Sequence, residues 1–298
     1  MNLKNDIIIG AKGFFMGAAN VVPGVSGGTI ALITNIFERI ISALNSLMSA
    51  SVWKSLKTDG VKAFWKAIDG EFLVSLLAGT AISIFSLAKV VTWCLAYHPI
   101  QTWALFFGLI LASVFTMLKD VKGWKVSDIL LTIVGAALGL AVCKLTPTQT
   151  PDGLWFIAIC GAVAICTMIL PGISGSFILV ILGKYDLVMK AVGDLNLPIL
   201  ISFAIGCALG IMAFAKFLNW VLARWERQTM LVLIGFVIGT LVKVWPWADK
   251  AALESAQMLR TGVAGQPIEM QVCSAVIFMV LGAALIIAVE WLGHRKKK

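Results

Sequence analysis

Long apolar runs separated by short polar clusters dominate the chain, and their lengths set the first expectations. A helix needs about 20 apolar residues to cross a bilayer. Six runs predict transmembrane helices: 72–96, 101–118 and 127–143, then 199–222, 229–245 and 272–292. Two further runs, 7–36 and 155–181, are interrupted by Pro23-Gly24 and Pro171-Gly172. Proline removes a backbone donor and glycine adds conformational freedom, so a helix breaks there. Broken backbone is tolerated at membrane depth only where it is buried or lines a cavity. Both segments therefore read as re-entrant hairpins, each entering and leaving on one side.

Segment 38–71 has another pattern. Trp53, Leu56, Val61, Phe64, Trp65 and Ile68 alternate with Lys54, Lys57, Lys62 and Lys66. Aromatic and aliphatic residues interleaved with lysines predict an interfacial amphipathic helix on an anionic leaflet. Its expected partners are anionic membrane lipids, and the segment reads as an anchor.

The pattern also repeats. Pro23-Gly24-Val25-Ser26-Gly27-Gly28 returns as Pro171-Gly172-Ile173-Ser174-Gly175-Ser176, 148 residues later. At an offset of 127, Gly79, Lys89, Trp93 and Gly108 match Gly206, Lys216, Trp220 and Gly235, among eleven identities in thirty positions. Gly135-Ala136-Ala137-Leu138 returns as Gly282-Ala283-Ala284-Leu285. The expectation is an all-α polytopic membrane protein of two homologous halves, 1–150 and 151–298. Each half carries one hairpin and three spans. Three spans per half is an odd number, so the second half is inverted relative to the first. That is the plan of a secondary transporter, with a site near the midplane between repeats.

Composition agrees and excludes other classes. Of 298 residues 60% are hydrophobic, only 13% are charged, and the mean hydropathy is +0.96. So few charges cannot cover a water-soluble surface. A soluble enzyme, a nucleic-acid binder and a disordered regulator are thereby excluded. The six cysteines are scattered without a CxxC pair, and His98 and His294 are the only histidines. Metal, disulfide and His-based catalytic chemistry are not expected, nor is a cofactor. The first apolar run leads into the repeated motif, so it reads as part of the mature fold rather than a signal peptide. The net charge of +9 points to the cytoplasmic face instead. With the N-terminus inside and both hairpins re-entrant, sixteen Lys and Arg lie inside and five outside. Counting the hairpins as full spans would put the clusters at 38–71 and 119–127 outside. The positive-inside rule favours N-in, C-in.

Chemistry concentrates at a few positions. Ser26-Gly27-Gly28-Thr29 and Ser174-Gly175-Ser176 each follow a break and open a helix. Backbone N–H groups and hydroxyls there suit a phosphate or carboxylate, although small residues also serve close helix packing. Lys89 and Lys216 lie inside spans at equivalent positions, four residues before a tryptophan. A lysine in hydrocarbon costs about 3 kcal/mol and normally faces a partner or a cavity. The two read as anion stations on either side of the midplane, against the alternative of snorkelling to the interface. Glu38 and Asp186 correspond at offset 148, and with Arg39 they are candidates for coupling or gating at the hairpin mouths, against the alternative of ordinary helix-end charges. Trp245-Pro246-Trp247 reads as an interfacial anchor.

Gly17 to Thr29, Met168 to Ser176 and Trp245-Pro246 together resemble a bacterial family assigned to polyprenyl-phosphate transport, once known only as a domain of unknown function. The resemblance covers essentially the whole chain. Phe37-Glu38-Arg39 stands where the family pattern has Tyr-Glu-Arg, while Tyr185 keeps a phenol in the second half. It implies a non-enzymatic inner-membrane flippase that returns undecaprenyl phosphate to the cytoplasmic leaflet for cell-envelope synthesis. Two other classes stay open on the residues alone. One is an ion-coupled carrier of a small anion. The other is a polyprenyl-diphosphate phosphatase, which would need an acid, base or partnered nucleophile that the spans do not supply.

Overall fold

Every regular element is helical among the residues described by the structure, a computed structural model, namely 3–21, 27–148, 150–263 and 268–295. In chain order the helices are α1 (Leu3–Val21), α2 (Gly27–Ile33), α3 (Phe37–Leu47), α4 (Ala50–Thr58), α5 (Gly60–Ala67), α6 (Gly70–Tyr97) and α7 (Pro99–Asp120). There follow α8 (Val126–Cys143), α9 (Leu154–Ile169), α10 (Gly175–Ile181), α11 (Tyr185–Gly193), α12 (Leu197–Thr240), α13 (Lys250–Thr261) and α14 (Val272–Arg295). The chain is a polytopic helical membrane protein. By length and composition α6, α7, α8 and α12 are each able to cross a bilayer.

Both broken runs are interrupted helices. The first supplies α1 and α2, and residues 22–26, including Pro23-Gly24, lie outside the described residues. The second supplies α9 and α10, separated by the break at Pro171-Gly172. Helix α9 has 16 residues, or about 24 Å at 1.5 Å per residue, short of the roughly 30 Å hydrocarbon core. Beyond α2 the chain turns through Asn35 at φ 55°, and α3 leaves at 116° to α2.

Two expectations need correction. The single amphipathic helix over 38–71 is instead three short helices, α3, α4 and α5. Ser49 adopts extended backbone before α4 and Gly60 has φ 82°, so neither position continues a helix. The spans 199–222 and 229–245 are not separated by a loop either. They join through one residue, Trp225, at φ −138° and ψ 49°. His98 joins α6 to α7 with nearly the same backbone, φ −134° and ψ 52°, and lies 127 residues earlier. A tryptophan packs edge-on against each junction at 5.3 Å: Trp93 on His98 and Trp220 on Trp225. Pro99 stops the ladder at the first junction, whereas Glu226 has an amide, so helical hydrogen bonding closes almost without interruption at the second. The expected span 272–292 falls within α14, and α13 between them was not anticipated. Asp249 caps α13 by accepting from the Ala252 N–H at 3.0 Å, and Gly262 ends it at φ 73°.

The helices form two compact units, each drawing on both halves of the chain. One comprises Met1–Phe85 and Lys144–Met230, the other Ser86–Cys143 and Leu231–Lys298. In the first, α1 crosses α6 so closely that a Cβ at Gly79 would overlap the Gly10 carbonyl oxygen. At the corresponding positions α9 crosses α12, and a Cβ at Gly206 would overlap the Ala158 carbonyl oxygen. Thr80 Oγ1 donates to the Gly13 carbonyl at 3.0 Å, and Cys207 Sγ donates to the Gly161 carbonyl at 3.3 Å, again at matching offsets. In the second unit each close pair joins helices from opposite halves. Gly108 and Gly282 seat α7 on α14, while Gly135 and Gly235 seat α8 on the last turns of α12. Lipid tails are as apolar as leucine, so small residues that admit close backbone contact, rather than hydrophobicity, select these pairs.

Candidate functional site

The candidate site residues lie at the helix breaks, at the two lysines and in the first turns of α3 and α11. At the first break Ser26 lies outside the described residues. Gly27 opens α2, and its N–H donates to Asn20 Oδ1 at 2.7 Å. A side chain at 27 would crowd the Asn20 amide, which explains the glycine there. Gly28 and Thr29 are both buried, Thr29 almost completely, at 1% exposure. Thr29 Oγ1 accepts from the Gly172 N–H at 2.7 Å, 143 residues away. Helix α2 is thus hydrogen-bonded directly to the second break.

At the second break Pro171 is fully buried and Gly172 takes φ 94°, a conformation glycine adopts without strain. Ser174 caps α10, its Oγ accepting from the Phe177 N–H at 3.2 Å and lying 2.9 Å from Ser176 Oγ. Gly175 is buried and Ser176 is exposed. The first arm is also tied down at its far end. Lys12 Nζ donates to the Thr34 carbonyl at 2.7 Å, supplying a donor to a helix end that lacks one. In the second half the buried Lys184 donates to the Thr150 carbonyl at 2.7 Å and pairs with Asp152. Nothing in the repeat pattern marked Lys12 or Lys184 as cross-links, because their counterparts are Cys160 and Ile36.

Lys89 and Lys216 are exposed, and neither has a hydrogen bond or ion pair among the described residues. Lys89 lies in the second unit, and Lys216 lies in the first together with the described break residues. Their surroundings on their own helices match. Ile82, Phe85, Lys89 and Trp93 form one exposed stripe of α6, and Leu209, Met212, Lys216 and Trp220 form the equivalent stripe of α12. The buried positions are mostly apolar in both, with Phe72 and Leu76 beside the buried Ser83 on α6 and Ala215, Leu218 and Leu222 on α12. Each lysine is therefore the one charge among the four residues of its exposed stripe.

Residues 16–261 match the family model described as undecaprenyl phosphate translocase-like. The chain belongs to this family. It is 44% identical over 238 residues to a polyprenyl-phosphate transporter of Vibrio cholerae, covering 80% of this chain and 77% of that protein. It is 31% identical over 256 residues to a polyprenyl-phosphate transporter of Staphylococcus aureus, covering 79% and 84%. No solved structure matches the chain.

In this undecaprenyl phosphate translocase-like chain the first turns of α3 and α11 carry the remaining charged candidates. The Arg39 guanidinium grips the Asp69 carboxylate with two hydrogen bonds, 2.6 and 2.9 Å, and lies 4.2 Å over the Phe72 ring. It fastens α3 to the start of α6. Asp186 is exposed in the first turn of α11, and Glu38 occupies the same place in α3. Partial burial, and secondarily the nearby Glu226 carboxylate, raise the Glu38 carboxyl above its ordinary range. A raised carboxyl pKa means the fold disfavours the charged form, so this group weakens the fold at high pH and less so at low pH. Glu38→Gln is expected to raise the melting temperature slightly at neutral pH. The gain should vanish as pH falls through the raised pKa. Thermal unfolding of both proteins from pH 4 to 8 tests this, and a gain independent of pH would contradict it.

Proposed function

We propose that this chain carries undecaprenyl phosphate across the bacterial cytoplasmic membrane, returning the lipid to the cytoplasmic leaflet for envelope synthesis, with no bond made or broken. The observation that carries the reading is the pair of exposed apolar tracks, each with one lysine that has no partner among the described residues. A lipid phosphate is an anion on a long apolar tail, and each track offers a cation on an apolar surface. The tail stays in lipid, since exposing its many methyl and methylene groups to water costs about 0.8 kcal/mol apiece. The phosphate loses its hydration, and a lysine ammonium with N–H and hydroxyl donors offsets that loss. Family membership and the names of both relatives support the same substrate class.

In this reading Lys89 and Lys216 are successive phosphate stations, joined by Ser26, Gly27, Gly28 and Thr29 on one hairpin and Ser174, Gly175 and Ser176 on the other. Glu38, Arg39 and Asp186 tune the mouths. The halves 1–150 and 151–298 act as inverted repeats, a reading supported by the matching α1–α6 and α9–α12 contacts. Anionic lipids hold α4 and α5, which contain no buried residue and carry four exposed lysines beside Trp53 and Trp65.

The deciding experiment reconstitutes the purified chain and measures binding and leaflet transfer of a long-chain polyprenyl phosphate. Transfer without release of inorganic phosphate is the expected result. Phosphate release would indicate the phosphatase, and indifference to tail length the small-anion carrier. Orientation is tested by single-cysteine labelling in a cysteine-free background. Positions 57 and 122 are expected to label from the cytoplasm and position 148 from outside, and the reverse at any of them would refute the N-in, C-in arrangement.

A further inference from the structure

Helices α2 and α10 end in the same turn. The N–H groups of Thr34, Asn35 and Ile36 donate to the carbonyls of Ile30, Leu32 and Ala31. At the matching positions, 148 residues later, those of Leu182, Gly183 and Lys184 donate to Ile178, Val180 and Leu179. Asn35 and Gly183 both take a left-handed φ, 55° and 63°. One carbonyl of each turn is held by a side chain from elsewhere, and the donors differ. Thr34 accepts from Lys12 Nζ on α1, whereas Leu182 accepts from Thr150 Oγ1 at 2.5 Å. Thr150 belongs to the segment between α8 and α9, which is laced onto the second turn at further points. Thr148 donates its N–H and its hydroxyl to the Ile181 carbonyl at 2.9 and 3.2 Å. A Cβ at Gly183 would lie only 2.7 Å from the Thr148 carbonyl oxygen. Lys184 closes the lacing from the other side, donating to the Thr150 carbonyl and pairing with Asp152. Packing requires no charge there, since the corresponding Ile36 is buried to the same degree, 4% exposed against 3%. A buried ammonium is costly unless paired, so what Lys184 contributes is the tie itself.

We propose that Lys184 is a positioning residue for transport, clasping the segment that enters α9 to the turn that leaves α10 and so holding Ser174 and Ser176 in place for the lipid phosphate. The inference rests on the transport reading above. Helix α10 has seven residues, too few to be stable alone, and is about 10 Å long. Over so short a rod, fixing the last carbonyls fixes the first residues. There Ser174 Oγ caps the helix and lies 2.9 Å from Ser176 Oγ. Without the Lys184 tie, only the neutral bonds from Thr148 and Thr150 hold the far end. Helix α10 then still forms, but its position spreads, which weakens phosphate binding more than it slows the passage that follows.

The test compares the native full-length chain with Lys184→Met, Asp152→Ala and the double variant, all reconstituted in the same vesicles. Three quantities are read: hydrogen exchange of the peptide covering 176–184, the half-saturating concentration of a long-chain polyprenyl phosphate, and the maximal leaflet transfer rate per folded molecule. Lys184→Met is expected to speed exchange about tenfold or more, the scale of a hydrogen bond to a charged group. Half-saturation should rise about threefold or more, with the maximal rate changed less than about twofold. Asp152→Ala should raise exchange and half-saturation in the native chain but add nothing to Lys184→Met, because its partner is gone. Native half-saturation in folded Lys184→Met would overturn the clasp. So would a loss confined to the folded fraction, which marks a residue that only stabilises, or Asp152→Ala losses that add in full. If Lys184→Met does not fold, Asp152→Ala decides, since that side chain is 75% exposed. Native exchange and half-saturation there would overturn the proposal. Absence of both binding and transfer in the native chain would sink the transport reading, and the exchange measurements would still report whether Lys184 and Asp152 together hold α10.

Discussion

Lys89→Met and Lys216→Met are each expected to reduce polyprenyl-phosphate affinity roughly 10- to 150-fold, the equivalent of one charge-assisted contact of about 1.5–3 kcal/mol. Methionine keeps an apolar stem of similar length, so the outward tracks of α6 and α12 remain continuous. If the lysines only snorkelled, removing an expensive charge from the bilayer would leave function intact and the fold unchanged or slightly firmer. The two readings thus predict opposite outcomes in well-folded protein. The double variant carries further information. Two stations on one path should show non-additive losses in transfer, because either defect alone blocks passage. The measurement is reconstituted binding and leaflet transfer for both single variants and the double. Native rates in folded methionine variants would remove the lysines from the mechanism and leave the break residues as the candidate site.

The second large effect concerns stability. Gly79→Val and Gly206→Val are each expected to cost about 3 kcal/mol or more, since overpacking against immovable backbone lies at the high end of such substitutions. At both positions the first atom of any side chain would overlap a carbonyl oxygen of the facing helix, Gly10 in one case and Ala158 in the other. A rotamer change cannot relieve that overlap, so α1 must move from α6, or α9 from α12. Gly193→Ala is the control, because nothing lies within 4 Å of a side chain there. Thermal stability in detergent, followed as the monodisperse fraction after heating, is expected to fall sharply for both valine variants and stay unchanged for the control. Equal stability of all three would show that the close crossings do not hold the fold.

The equivalence of the two crossings also explains a sequence feature that pointed elsewhere. Lysine followed four residues later by tryptophan reads as a paired chemical motif. The structure gives the tryptophans work of their own: Trp93 packs on His98 and Trp220 on Trp225, the junction residues where one span passes into the next. The lysines have no such structural partner among the described residues. Likewise Arg39, a gating candidate from its place beside Glu38, is engaged by Asp69 and Phe72. Glu38 keeps an environment that holds its proton more tightly than usual.

Sequence alone determined the class of this protein, its all-helical character, the break at Pro171-Gly172 and the correspondence of residues at offsets of 127 and 148. These are local properties: apolar length decides whether a segment enters a bilayer, and Pro-Gly decides where its hydrogen-bond ladder stops. It misjudged the 38–71 segment and the passage at Trp225, where one or two backbone angles rather than composition set the outcome. Tertiary structure alone decided which helices meet. In lipid every face of a span is apolar, so hydropathy does not distinguish a face turned to protein from one turned to tails, and close-packed small residues settle the pairing. The same limit hid the bond from Gly172 to Thr29. A hydroxyl and an amide 143 residues apart carry no mutual signal in the chain, and only the fold that buries the Thr29 hydroxyl brings them together.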